Sequence, residues 1–539
     1  METREAYIGV DVGTLSVRAG VFDAAGGLIA SAKRPIKIWS EPGEVVEHSS
    51  SDIWTAACQA VREAVFKAEL SAEAYRGLGF DATCSLVALD RLGSPVSVSP
   101  TDANERDTIV WMDHRAQRET DEINAGGHPI LRYLGGRISP EMQTPKLLWL
   151  ARHKPETMAK ARHFLDLTDF LSFRASGSLS RSVCTVTCKF TYLAHEGRWD
   201  STYFDAIGLG GLAQGGFERL GADVVEPGTP LGRGLKSEAA EAMGLAEGIP
   251  VAAGLIDAHA GAVGTIGASL NGEPADPRRR IALILGTSSC CMTVSDEPRF
   301  LPGVWGPYFS ALLPRQWLLE AGQSAFGAAI DRLMRLHPAF ADLAREAGEG
   351  ALERVERDVV ERAKGLSQAA LLARDLHVLP DFLGNRSPLA DSCARGAIVG
   401  LDLREDRASL GELYVAGLTG LAHGVAEIVD VLERDGATFE MIVVSGGAAR
   451  SPLVRQIIAD ATGKIVGAPR TSEPVLLGAA MLGAVAAGRH TMASAMPAMS
   501  AVADLARPWR GEIADFHARK RQAFLRLQQV ERGMREAMR

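Results

Sequence analysis

Residues 6–18 read Ala-Tyr-Ile-Gly-Val-Asp-Val-Gly-Thr-Leu-Ser-Val-Arg. The apolar run predicts a buried strand that stops at a tight turn, Gly13-Thr14-Leu15, and a second strand running back from Ser16 to Phe22. A turn over residues 23–27 leads to a third strand, Leu28 to Ile36. The pattern returns at 281–294, Ile-Ala-Leu-Ile-Leu-Gly-Thr-Ser-Ser-Cys-Cys-Met-Thr-Val. Val12-Gly13-Thr14-Leu15-Ser16 and Leu285-Gly286-Thr287-Ser288-Ser289 are thus two copies of strand, Gly-Thr-x-Ser turn, strand. One supersecondary unit repeated once, half a chain apart, implies two related domains rather than a solenoid. Residues 270–280 hold turn residues and charge and read as the linker.

Working outward, residues 51–67 show helical spacing of Ile53, Ala57, Ala60, Val61, Ala64 and Val65. Leu78 to Thr83 is another strand, and Leu86 to Asp90 continues extended. The second half predicts helices over Leu352 to Leu372, Leu410 to Leu432, Leu453 to Ala461 and Val475 to Ala487, with a strand at Met441 to Ser445. At the end, Phe516 to Met538 carries Phe524, Leu527, Val530 or Met534, and Met538 on one stripe, expected to dock on a neighbouring domain.

The composition agrees with a globular protein of two or three domains. Of 539 residues, 46% are hydrophobic and 23% charged, with a net charge of −8. That excludes a disordered chain and, on bulk charge, a basic nucleic-acid surface. Seven irregularly spaced cysteines exclude a disulfide scaffold and read as reduced thiols, mostly buried. Cys184 and Cys188 have no second Cys/His pair nearby in the sequence, which argues against zinc. Adjacent Cys290 and Cys291 should face opposite sides of a strand. The charged start has no signal-peptide pattern, and the apolar stretch Val475 to Gly488 is shorter than a membrane span. A cytoplasmic protein without membrane or nucleic-acid partners is expected; a homodimer is compatible with the sequence but not read from it. The 56 glycines exceed the average share of about 7% and imply many tight turns or a site built from backbone.

Two Gly-Thr-x-Ser turns can offer backbone N–H groups and hydroxyls to the same kind of anion. Asp11 before the first turn and Arg18 after it add an acid and a base, and an acid beside a phosphate cradle points to Mg²⁺. Val443-Val444-Ser445-Gly446-Gly447-Ala448-Ala449-Arg450-Ser451-Pro452 runs from strand through Gly-Gly to helix, where backbone can lie against a nucleotide. Together with the turns it supplies the adenosine end of an ATP site. Gly254-Leu-Ile-Asp257-Ala-His259-Ala-Gly261 delivers Asp257 from a strand end into a helix start, placed to accept a proton from an attacking hydroxyl. As a plain N-cap, Asp257 would stabilise its helix by about 1 kcal/mol. His259 reads as a packed neighbour.

With these elements in order, nearly the whole chain resembles the FGGY family of carbohydrate kinases, within it the ribulokinase-like pentulose kinases. The segments that carry the resemblance also include Trp111-Met-Asp113-His-Arg115, Pro145-Lys-Leu-Leu-Trp149, Glu320-Ala-Gly-Gln323 and Phe382-Leu-Gly-Asn-Arg-Ser-Pro388. The resemblance implies an α/β fold of two actin-like, ribonuclease H-like ATPase domains with a central cleft. The expected division is 1–270 for sugar binding and the base, 281–490 for ATP, and 500–539 as a C-terminal helical extension. It makes Asp257 the catalytic base and places Asp11, with Asp257, at the metal. It places Thr14, Ser16 and Arg18 by the transferring phosphate, and Gly286, Thr287 and Ser288 in the second phosphate loop. Gly446, Gly447, Ala448 and Ser451 form the adenosine loop. It implies sugar contacts from Lys189, Glu320 and Cys84, with Trp111, Asp113 and Arg115 closing the pocket. Buried packing reads Cys84 equally well, and a core role does nearly as well for Trp111.

The implied reaction transfers the γ-phosphoryl of MgATP to a primary hydroxyl of a free pentulose, D-ribulose first. L-ribulose, D-xylulose, a pentitol and glycerol are the rival acceptors. An actin-like ATPase or a sugar-sensing binder without turnover is the rival class.

Overall fold

The computed structural model describes residues 5–538. Two mixed sheets carry the chain. In the first, Ala6–Val12 is central, antiparallel to Ser16–Asp23, which pairs in turn with Leu28–Pro35. On its other side Tyr75–Ala82 and then Leu255–Ile256 join in parallel. In the second, Arg280–Leu285 takes the same place, antiparallel to Ser289–Ser295 and parallel to Met441–Ser445. Trp317–Gln323 and Trp305–Phe309 extend one side of it, Ile465–Pro469 and Val502–Ala506 the other. Hairpin and parallel strand recur in the same order, so the repeat visible at two turns is a repeat of whole sheets. The molecule has the two actin-like domains expected. Ala6–Val12 is buried at every residue, which is why it reads as an unbroken apolar run rather than an alternating one.

Helix Ser50–Ala68 lies on the first sheet, its start capped by the Ser49 side chain accepting from Asp52 N–H. A further sheet of five short strands, including Val45–His48, Leu86–Leu89 and Thr108–Ile109, is added to this domain. In the second domain, Arg407–Arg434 has the length and apolarity to cross a membrane, yet its apolar window is 89% buried inside the protein. Cys291 packs in this second core and Cys290 faces the other way, toward the cleft, as their adjacency required.

Helix Pro474–Ala486 lies in sequence between two strands of the second sheet, Ile465–Pro469 and Val502–Ala506, but packs on Ala6–Val12 and Tyr75–Ala82 of the first, and on helix Asp257–Ile266. The approach is backbone to backbone. A Cβ on Gly9 would fall 2.0 Å from Leu476 O, and one on Gly478 would fall 2.0 Å from Ala260 O. Part of the glycine excess is therefore neither turn nor ligand cradle; it lets one helix sit against a sheet without side chains between. Gly478→Ala is expected to cost about 1–3 kcal/mol, because the added methyl meets main chain that cannot rotate away. A thermal scan reads this as a lowered Tm, and an unchanged Tm would contradict it.

Three expectations are corrected. The helix expected over 352–372 ends at Ala363; Lys364 turns left-handed (φ 62°) and a 3₁₀ segment, Gln368–Ala373, follows. Residues 500–539 are not all helical, because Val502–Ala506 forms the edge strand of the second sheet. Helix Glu512–Ala537 docks through Ile513, Phe516, His517, Lys520, Phe524 and Gln528, while Val530, Met534 and Met538 remain exposed. The stripe chosen by apolarity alone matched the docked face only near Phe524.

Candidate active site

The two Gly-Thr turns face each other across a cleft of about 440 Å³. Each is closed by its own glycine: Gly13 N–H donates to Ser16 O at 3.0 Å and Gly286 N–H to Ser288 O at 2.9 Å. Their tips, Leu15 and Gly286-Thr287, are exposed to the cleft.

Asp11 ends the central strand, 3% exposed, at the floor of this cleft. Its Oδ2 accepts from Arg18 Nε at 2.8 Å, the residue opposite it on the hairpin. Arg18 Nη1 donates to Glu473 Oε2 at 2.7 Å, so one guanidinium ties the first turn to the start of helix Pro474–Ala486. Behind Asp11, at the same level on the neighbouring strand, lies Asp81. Burial, with the charge of Asp11 added, holds the Asp81 carboxyl well above the usual range.

The short strand Leu255–Ile256 places Asp257 at the first turn of helix Asp257–Ile266. Ile256, not Asp257, is the N-cap, and the Asp257 carboxylate accepts only its neighbour's N–H, from Ala258 at 2.7 Å. It is thus available to the cleft rather than spent on capping. Burial, then the charge of Asp11, pushes its carboxyl up to about 6. A carboxylate of that basicity accepts a proton more readily than an ordinary one near neutral pH.

The far end of the cleft is shared by the two domains. Lys189, 4% exposed, ends helix Val183–Phe190 and sits 5.0 Å over the Trp305 ring. Glu320 comes from Trp317–Gln323 of the second sheet. Cys84 lines the wall as a neutral thiol, since burial pushes it up to about 12. Trp111 also lines the cleft, its indole N–H donating to Thr14 Oγ1 at 3.0 Å. Lys146, from the Pro145–Trp149 segment, is fully buried and donates to the carbonyls of Val110, Trp111 and Glu141. It fixes the loop that aims Trp111 at the first turn.

Asp11, Thr14, Ser16, Arg18, Cys84, Trp111, Lys189, Asp257, Gly286, Thr287, Ser288 and Glu320 therefore share one cavity. Six expected residues do not line it. Asp113 and Arg115 are buried outside: Arg115 is paired to Asp113 and Glu47 and stacked over Trp149. They close no pocket, because their charges are spent on each other. Gly446, Gly447 and Ala448 lie beside the second turn instead: Ser445 pairs with Ile284, and a Cβ on Gly446 would meet Leu285 O at 2.4 Å. Ser451 caps helix Pro452–Thr462 by accepting from Val454 N–H.

The sequence reading missed Arg386, Trp305, Glu141 and Glu473. Arg386 had a signal, its place in the quoted Phe382–Pro388 segment; Trp305 and Glu141 had none. Arg386 lies 5.4 Å over Trp305 and only 3.5 Å at best from Glu141 Oε1, across the cleft in the other domain. Its guanidinium faces the cavity with hydrogen-bonding capacity to spare.

The comparisons with known proteins agree with this fold. Residues 6–264 match the N-terminal domain, and residues 281–487 the C-terminal domain, of the FGGY family of carbohydrate kinases. The chain is 44% identical over 533 residues to an FGGY carbohydrate kinase domain-containing protein of Homo sapiens, covering 97% of this chain and 96% of that one. It is 36% identical over 512 residues to a D-ribulokinase of Saccharomyces cerevisiae, covering 89% and 72% of the two chains. The structure of a xylulose kinase from Rhodospirillum rubrum shares the fold, with TM-score 0.78 at 23% identity over 98% and 99% of the two chains. The family match makes the protein a carbohydrate kinase rather than another ATPase of this fold. The chain belongs to the FGGY family of carbohydrate kinases, which use ATP.

Proposed function

We propose that this sugar kinase phosphorylates a free pentulose at its terminal hydroxyl, D-ribulose in preference to its isomers. The observation that carries the reading is the setting of Asp257. It stands in one cavity with both Gly-Thr turns on one side and Lys189, Glu320 and Arg386 on the other. A small polyhydroxy acceptor held by those three charged groups presents its end hydroxyl to Asp257, which takes up the proton as the bond to phosphorus forms. The turns and Arg18 face the charge that develops on the transferring group. The similarity to a D-ribulokinase supports the choice of sugar.

The donor set at the cleft floor fits Mg²⁺: Asp11 and Asp257 offer the carboxylate oxygens that ion prefers, with phosphate oxygens completing the shell. The ion would supply charge neutralisation on the phosphates. Asp11 would hold it in exchange for its present bond to Arg18. Closure of the two domains would exclude water, which otherwise competes as acceptor.

A coupled ADP-release assay over D- and L-ribulose, D-xylulose, ribitol and glycerol tests the proposal. Highest kcat/KM for D-ribulose supports it; stimulation by no sugar or polyol overturns it. Arg386→Ala is expected to raise the KM for the sugar about 10–100-fold, the value of a hydrogen bond to a charged group. The KM for ATP should stay within about twofold, and steady-state kinetics with each substrate varied in turn would show a split that fails if both rise together.

A further inference from the structure

Beneath the acceptor end of the cleft, side chains from two helices meet in a cluster of metal-type ligands. Cys184 and Cys188 stand one turn apart on Val183–Phe190, and His259 lies on Asp257–Ile266. They are 0%, 0% and 1% exposed. Their two sulfurs and a ring nitrogen all lie within 4.8 Å of one another, and Cys188 Sγ is 3.6 Å from His259 Nε2. The cysteine pair that lacked a partner in the sequence has one in space.

A fourth group is at hand. Glu320 Oε2 lies 4.0 Å from the same His259 Nε2 and, though buried, accepts no hydrogen bond. Around zinc, with Zn–S near about 2.3 Å and Zn–N about 2.0 Å, neighbouring tetrahedral ligands stand about 3.5–4 Å apart. Cys184, Cys188 and His259 lie within 4.8 Å of one another, close to three corners of a tetrahedron, and Glu320, 4.0 Å from His259 but outside that close group, would swing in as the fourth ligand. Two thiolates also cancel a divalent charge, so the occupied site would bring no net charge into the core. A thiol–imidazole hydrogen bond alone leaves Glu320 Oε2 without a partner; a cation between the four groups satisfies it.

We propose that Cys184, Cys188, His259 and Glu320 form a site for a thiophilic d¹⁰ cation, zinc foremost, beneath the sugar pocket. Occupancy draws Glu320 away from the sugar, so the cation inhibits competitively with the acceptor. The inhibition rests on the pentulose reading; the binding does not.

The test is a cobalt(II) titration of the full-length, chelator-treated and reduced protein. The expected result is a sulfur-to-cobalt charge-transfer band with the visible bands of tetrahedral cobalt, both displaced by zinc. Cys184→Ser with Cys188→Ser should abolish the charge-transfer band and weaken binding at least tenfold. Cys393→Ser, which removes the exposed thiol, should change neither the band nor the activity. If the double variant does not fold, Cys188→Ala alone gives the same readout. No band, or a band that survives in the cysteine variants, overturns the site. In the kinase assay, zinc should raise the apparent KM for the sugar without changing kcat, and Cys188→Ala should need at least tenfold more zinc. If no sugar is phosphorylated, the pentulose reading fails, and the cobalt spectrum still decides the metal site by itself.

Discussion

Asp257→Asn is expected to lower kinase turnover by about 10²–10⁴-fold, the usual contribution of a positioned general base. The change is nearly isosteric. It keeps an oxygen to accept from Ala258 N–H and leaves helix Asp257–Ile266 started by Ile256 as before. What it removes is the proton acceptor, whose basicity this cleft raises to about 6 by burial and by the nearby charge of Asp11. On the proposed reading the two turns and the Gly446 loop hold the nucleotide, so its binding should persist. The checking measurements are the ADP-release rate with saturating sugar and a separate titration of nucleotide. Turnover within about tenfold of the parent would remove Asp257 from the role of base. Lost turnover together with lost nucleotide binding would point to a collapsed cleft instead.

Arg115→Ala is expected to destabilise the protein by about 3–5 kcal/mol, the cost of breaking a buried ion pair from one side. Arg115 donates to Asp113 Oδ1 and Oδ2 and to Glu47 Oε1, and its side chain is 2% exposed. Both carboxylates are themselves 0% exposed, so neither finds water when the guanidinium goes. Asp113 also accepts from Val46 N–H at 2.6 Å, which ties the loop beyond Trp111 to the added sheet. Denaturation should show the loss, while the KM for the sugar, per folded molecule, stays unchanged. A large rise in that KM with stability intact would return Arg115 to the sugar pocket, from which its geometry removes it.

The fold was legible because its signals are local. Residues 6–18 and 281–294 are each a continuous apolar strand broken by a turn, and their likeness needs no tertiary knowledge. Asp11, Asp257, Thr14 and Thr287 were readable for the same reason: each sits at a strand end or turn, where the chain's own periodicity says a side chain leaves the sheet. Trp111, Asp113 and Arg115 show the limit. They are adjacent in one motif, yet Trp111 reaches Thr14 while the other two turn inward, Arg115 pairing with both Asp113 and Glu47. Spacing of two residues along a loop does not determine which side chain faces a cavity.

The sequence by itself determined two related α/β domains, the phosphate-type turns and the acid at the end of the strand, because each is written within one short segment. Only the tertiary structure decided which residues meet across the cleft. Lys189 and Trp305 meet there, Arg386 faces Glu141, and Arg18 holds Glu473 from 455 positions away. It also decided that helix Pro474–Ala486 belongs against the first sheet and that Cys188 faces His259. These pairings carry no periodicity. They arise when backbones close to contact, as Gly9 and Gly478 allow for helix Pro474–Ala486, and bring side chains far apart in the chain together.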